Sequence, residues 1–333
     1  MADLVARYLE QAVRLYCGVN GAPTREVEHL RDAVRPLLEL YGGLPASSFG
    51  LRQLKTLRKQ LIDRGLARKT INDRVNRIIR AFGWAAEEEL CRPEVYGALR
   101  ALQALRRGRS RAKEGKRVLP VAWEHVEATL HHVPRPVAGL IELMWHTRMR
   151  PGEACQLRPK DLDTSGKVWF YRPQSHKTQR FDRERIVAIG PHGEEVLRRF
   201  LARVPQPSPD GPLFSPCDAV AELQLRRRER RKTPLWPSRR EAQARKRRHT
   251  PRKQPGVAYT PNSFLGAVRR GCRIAGIPSW TPNRLRHAAA TRIRKERGLE
   301  AARVVLGHAS AAITEVYAEI DQRLAERVMA ELG

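Results

Sequence analysis

Acidic residues are what this 333-residue chain is short of: 35 Asp and Glu stand against 64 Lys and Arg, a formal charge of +29. A compact chain with that imbalance repels itself, and such an excess is kept for a polyanionic partner. Nucleic acid leads, because Lys and Arg neutralise its phosphates; an anionic membrane surface is the alternative. Long apolar runs are missing too. No stretch of about 18 apolar residues offers a membrane-crossing helix, and no signal peptide is recognisable at the N-terminus. A membrane partner therefore rests on charge alone. Cysteines are few, odd in number and widely spaced: Cys17, Cys91, Cys155, Cys217 and Cys272. That excludes a disulfide framework and a metal knuckle, and it points to free thiols in a reducing cytosol.

What is present is enough chain for two domains, with an apolar fraction of 41% that is slightly low but compatible with globular folding. The first hundred residues read as helices. Val27, Leu30, Val34, Leu37, Leu38 and Tyr41 recur at helical spacing up to Gly42-Gly43, and Leu51, Leu54, Leu57 and Leu61 repeat the pattern up to Gly65. Thr70 with Asp73 three residues on predicts the start of a third helix by a capping box. Its apolar face is Ile71, Val75, Ile78, Ile79 and Phe82. Arg74, Arg77 and Arg80 occupy its other faces, as either a stripe for DNA phosphates or an ordinary solvated face; the total charge favours DNA.

Residues 106–118 (RRGRSRAKEGKRV) are basic and without periodicity, and read as a linker between a domain over 1–105 and one over 119–333. Beyond it, helical patterns over 122–148 lead to strand-like VWFYRP (168–173) and RIVAIG (185–190), joined by a polar hairpin segment. Helices resume over 192–203 and again from Thr281, where Thr281-Pro282 marks a helix start. Gly298 ends that helix, and Gly307 ends the segment after it. The fold class expected is mainly α with a small β-sheet. Residues 226–253 interrupt the second domain with 14 Lys and Arg against Glu229 and Glu241. Apolar residues are scarce there, so the stretch, within an insertion spanning 218–256, is expected to be a disordered surface segment without DNA.

The last fifty residues and two earlier segments carry side chains suited to one chemistry. A tyrosine hydroxyl is a poor nucleophile at its free pKa and needs cations around a group that grows more negative as it reacts. A phosphodiester under attack is such a group. Guanidinium groups match its non-bridging oxygens in shape and charge, and a lysine can protonate the departing oxygen. Taken singly, each residue reads as ordinary: Tyr317 as a core tyrosine between Ile313 and Ile320, His308 as a residue after a helix stop, Lys177 and Arg180 as solvated loop cations, His287 as structural. The ordered set Arg150, Lys177, Arg286, His308, Tyr317 favours the chemical reading.

Five segments carry a resemblance to the tyrosine recombinase (phage integrase) family. HTRMRPGEACQLRPKDLD (146–163) resembles its first arginine motif, with Arg150 in register with Glu153; Arg148 is the alternative. TPNRLRHAAATRI (281–293) resembles the second, with Arg286. LGHASAAITEVYAE (306–319) is similar to the third, with His308 and Tyr317. HKT (176–178) resembles the hairpin that supplies the family's lysine, here Lys177 or else Arg180. RKTINDRVNRIIRAFGWAA (68–86) resembles part of its core-binding domain.

The resemblance implies a helical, SAM-like core-binding domain followed by a mixed α+β DNA breaking-rejoining catalytic domain, closing on DNA as a C-shaped clamp. By that resemblance Tyr317 attacks the phosphate and forms a 3′-phosphotyrosyl link. Arg150 and Arg286 hold the non-bridging oxygens, His308 adds a hydrogen bond, Lys177 is the general acid, and Glu153 braces Arg150. The link conserves the bond energy, so neither ATP, metal nor cofactor is implied. The partners implied are double-stranded DNA and further copies of the chain, a homotetramer on DNA, in the cytoplasm. Two positions depart from the family pattern: Asn283 stands where histidine is usual, able to hydrogen-bond a phosphate but not to shuttle a proton, and Arg148 stands where glycine is frequent. A type IB topoisomerase-like enzyme and a catalytically impaired DNA-binding protein are the alternative functions. The helix expected over 321–333 docks either on a neighbouring subunit or on its own domain.

Overall fold

The computed structural model of the chain describes residues 1–18, 21–115, 118–174, 185–203, 206–233, 236–246 and 254–307. Two compact units divide it, residues 1–117 and 118–333.

Among the described residues the first unit holds the α-helices α1 (Ala2–Leu15), α2 (Arg25–Tyr41), α3 (Leu51–Asp63), α4 (Arg68–Glu87) and α5 (Pro93–Arg100), with a short 3-10 turn at Ala46–Ser48. Leu54, Leu57 and Leu61 of α3 and Ile71, Val75, Ile78 and Phe82 of α4 lie at three- and four-residue intervals, and all are buried; that spacing turns one apolar stripe of each helix inward. Helix α4 packs against the other four, and Phe82 stacks on Phe49 with ring centroids 5.1 Å apart.

The start of α4 differs from the capping box expected at Thr70 and Asp73. The helix begins at Arg68, after Ala67, with no side-chain cap. The backbone supplies the partner instead: the Arg68 amide donates to the Lys113 carbonyl at 2.9 Å. That contact also revises the reading of the basic stretch as a linker. Asn72 holds both polar groups of the Leu105 backbone, at 2.9 and 3.1 Å, Ala112 is buried in the first core, and Glu114 pairs with Arg68 at 2.7 Å. Through Glu114, then, the stretch is strapped to the start of α4.

The second unit contains α6 (Trp123–Leu130), α7 (Arg135–Thr147), α8 (Pro151–Cys155), β1 (Leu162–Asp163), β2 (Trp169–Tyr171), β3 (Val187–Ile189), α9 (Pro191–Leu201), α10 (Pro216–Glu229), α11 (Pro237–Lys246), α12 (Pro261–Ile274) and α13 (Asn283–Leu306). The strands form an antiparallel sheet in the order β1-β2-β3, with Trp169 opposite Ile189 and Tyr171 opposite Val187. These four face the core while Phe170 and Ala188 between them face outward, the two-residue alternation of a half-buried sheet. Central to the core is α7, with Val137, Leu140, Ile141, Leu143 and Met144 fully buried. A Cβ at Gly139 would lie 2.5 Å from the Phe200 ring, so glycine there lets α7 and α9 approach closely. The fold is mainly α with a small β-sheet.

The insertion expected to lack structure holds two helices, α10 and α11, a correction for residues 218–229 and 237–246. Sparse apolar residues do not forbid helices. Arg, Glu, Ala, Gln and Lys have high helix propensity. Glu222 pairs with Arg226 one turn on and accepts the Arg135 amide of α7 at 2.8 Å, which anchors α10. Residues 247–253 lie outside the described residues.

Candidate functional site

Arg150 sits where two turns meet. Helix α7 ends at Arg148 in the left-handed conformation, φ 62° and ψ 14°, where a glycine would be at ease. The Arg148 side chain offsets part of the strain by donating to the His146 carbonyl at 2.8 Å. Met149 is buried, and Arg150 then precedes Pro151, the first residue of α8. Proline at that position is pre-set for helix, and Glu153 two residues on turns back. It accepts the Arg150 amide at 2.8 Å and the Arg150 guanidinium at 2.7 Å.

Glu153 is 3% exposed. Burial alone would raise its carboxyl; the nearby Arg185 charge, the Arg150 amide and the Arg150 guanidinium outweigh that and hold it below its ordinary value. Its backbone is fixed as well, since the buried Tyr171 hydroxyl of β2 donates to the Glu153 carbonyl at 2.8 Å. Burial pushes that phenol well above the usual tyrosine range, so it stays a neutral donor. The Arg150 side chain keeps 23% of its surface exposed. The result is a guanidinium clamped by Glu153 on a side chain that stays partly exposed.

Arg286 comes from α13, three residues after Asn283, so the two share a helix face. It is 1% exposed. Its guanidinium donates to the Arg148 carbonyl at 2.8 Å and to the Leu306 carbonyl. It therefore binds the turn that leads into Arg150 and the turn that leads into His308. Leu306 closes α13, and Gly307 follows at φ 61°, while Gly298 breaks the helix midway at φ 84°. Both glycine stops fall where the sequence placed them, and each sits in a conformation that disfavours a Cβ.

Of the expected site residues, Arg150, Arg286 and Asn283 are described, and Arg286 bridges the two turns. Lys177, His308 and Tyr317 lie outside the described residues, as do Arg180 and the helix expected over 321–333. His287 is buried, in keeping with a structural role. The three α4 arginines separate. Arg77 is bidentate on Glu26 of α2, at 2.8 and 3.0 Å, and Arg80 takes the same carboxylate at 2.6 Å beside the Tyr16 ring. Those pairs hold α4 to α2; Arg74 on the same helix is half-buried.

Arg185 is a residue that sequence reasoning missed. It is 7% exposed and pairs with Glu153 through two nitrogens at 3.3 and 3.4 Å. A signal was present: Arg185, Val187 and Ile189 alternate, and the last two are the inward face of β3. A cation on the inward face of a strand requires a buried anion.

Among the described residues, no group of His, Cys, Asp and Glu is placed to hold a metal ion, and no helix is long and apolar enough to cross a membrane. The five cysteines are free thiols.

Residues 124–323 match the model of the phage integrase family. The chain is similar to the tyrosine recombinase XerC of Methylobacterium sp. (strain 4-46), 29% identical over 188 residues, which are 55% of this chain and 45% of that protein. It is also similar to the XerC of Mycobacterium sp. (strain KMS), 26% identical over 54% of this chain and 48% of the relative. The chain thus spans about half the length of these curated relatives. Among solved structures, a lambda integrase (75–356) dimer bound to a COC′ core site superposes with TM-score 0.65 at 13% identity, over 96% of this chain and 95% of that one. XerH recombinase bound to a palindromic difH substrate, a post-cleavage complex, gives 0.64 at 17%, over 98% and 94%. At such identities the likeness is one of fold.

Proposed function

The chain belongs to the phage integrase family, and from that membership we propose that it is a site-specific DNA recombinase that cleaves and rejoins strands through a 3′-phosphotyrosyl link to Tyr317. The observation that carries this reading is the assembly around Arg150. The partly exposed Arg150 side chain is held by a buried carboxylate, and a buried guanidinium, Arg286, ties its turn to the one that precedes His308. A pocket built this way is prepared for an oxyanion before any ligand arrives, and preorganised charge is what stabilises a phosphoryl group in transit.

In the reaction the Tyr317 hydroxyl releases its proton to water as its oxygen attacks the phosphorus. A bond forms between them, the bond to the 5′ oxygen breaks, and Lys177 gives that oxygen its proton. Arg150, from its clamp on Glu153, and Arg286 hold the non-bridging oxygens. Asn283, at the first turn of α13, offers a hydrogen bond where the family usually has histidine; it cannot carry a proton, so proton transfer falls to Lys177. The reverse attack by a 5′ hydroxyl rejoins the strand and releases Tyr317, with no net change in the number of phosphodiester bonds and no call for ATP. DNA as partner is supported by the charge of +29 and by the DNA-bound state of the structural relatives. A homotetramer on DNA is the working assembly in this reading, supported by the fold shared with a lambda integrase tetramer bound to a Holliday junction, TM-score 0.64 at 13% identity.

A nicked half-site substrate, which lets the cleaved end diffuse away, tests the mechanism. The wild-type chain accumulates a covalent protein–DNA complex, and Tyr317→Phe accumulates none while still shifting the DNA in a gel. Equal trapping by Tyr317→Phe would refute the assignment.

A further inference from the structure

We propose that Arg185 is a positioning residue for cleavage, one that keeps Arg150 available to the phosphate and sets the turn ahead of His308; the proposal rests on the recombinase reading above. Arg185 stands just before β3 and directly follows the segment 175–184 that carries Lys177. Its side chain is 6% exposed and lies against the Glu153 carboxylate, one nitrogen on each oxygen. Glu153 is the group that clamps Arg150, at 2.7 Å. One buried carboxylate therefore serves two guanidinium groups, and the trio keeps a net positive charge. Without Arg185, the whole negative charge of Glu153 would fall on Arg150. The pair would become neutral, and the field at the phosphate would weaken.

The other side of Arg185 meets Gly307. A Cβ built on Gly307 would lie 3.1 Å from the Arg185 Cζ and closer still to one of its nitrogens. The guanidinium thus occupies the space where a Cβ on that glycine would sit, and packs against the turn. His308 is the next residue along the chain. Arg286 grips the same two turns by other atoms, the carbonyls of Arg148 and Leu306. Two buried guanidinium groups consequently bracket the Arg150 turn and the Gly307 turn. Arg286 fixes them through neutral carbonyls, whereas Arg185 also sets how much of the Glu153 charge Arg150 must neutralise. That electrostatic part is what separates positioning from mere packing.

The test uses the full chain on nicked half-sites with either a normal phosphate or a methylphosphonate at the cleavage point. The methylphosphonate has lost the anionic charge that Arg150 meets. Arg185→Met is expected to bind DNA as wild type does and to form covalent complex ~100-fold more slowly on phosphate but only ~10-fold more slowly on methylphosphonate. Arg185→Lys keeps the charge and is expected to recover most of the rate. A wild-type rate for Arg185→Met, or an equal loss on both substrates, overturns the proposal. If Arg185→Met does not fold, the equally uncharged Arg185→Gln decides: a larger loss on phosphate than on methylphosphonate supports positioning, and equal losses overturn it. Wild type that forms no covalent complex on either substrate overturns the recombinase reading itself, a result distinct from any difference between variants.

Discussion

Arg148 pays with backbone strain for a position that glycine would take freely, on the order of 1 kcal/mol, and its carbonyl is the atom that Arg286 holds. The residue pattern around it was legible in the sequence: Arg150 in register with Glu153, Arg286 in the first turns of α13, Gly307 as a stop. What was not legible is that Arg286 is buried and spends two of its hydrogens on backbone carbonyls, or that Arg185 shares Glu153. Those facts depend on residues 20 to 138 positions apart meeting in space, which local spacing does not encode. Glu153 yields a prediction at this scale. Its carboxyl is lowered in the fold from its ordinary value of 4.5, so the unfolded chain binds the proton more readily. The stability it contributes is therefore complete above about pH 4.5 and is lost as pH falls through the folded value. Glu153→Gln leaves Arg185 buried without its anion and should cost about 3–5 kcal/mol at neutral pH. The gap between the two proteins should narrow as pH drops below 4.5. Urea unfolding across a pH series measures it; a gap that stays constant into acid would mean the carboxylate does not carry this charge coupling.

Elements were easier to read than contacts. The apolar stripes of α2, α3 and α4 and the alternation of β2 and β3 stand in the sequence because one face of each is buried. Where an element's end is set by a distant partner, the local signal failed: α4 opens two residues before Thr70 because the Lys113 carbonyl receives its first amide. The insertion failed for another reason. Low apolar content argues against a core of its own, yet α10 needs none, since Ala219 packs into the core beside α7 and Glu222 caps the Arg135 amide. The basic remainder begins after α10. Residues 230–253 hold 11 Lys and Arg against Glu241. Deleting them should weaken binding to specific and non-specific DNA alike. It should also flatten the dependence of log K on log salt by roughly 0.9 for each phosphate contact removed. Filter binding over a salt series gives both numbers; a changed preference among sites with an unchanged slope would mean that the insertion reads bases.

At the scale of the molecule, the excess of positive charge announced a polyanion before any residue was placed, and the two compact units each carry their own core. Charge cannot say which chemistry follows binding, and the reading of strand cleavage depends on one side chain. The most direct measurement is to digest the covalent complex formed on the nicked half-site and identify by mass spectrometry the peptide that carries the nucleotide. The account predicts a single adduct, a 3′-phosphate on Tyr317. An adduct on any other residue, or a link through the 5′ end, would contradict it.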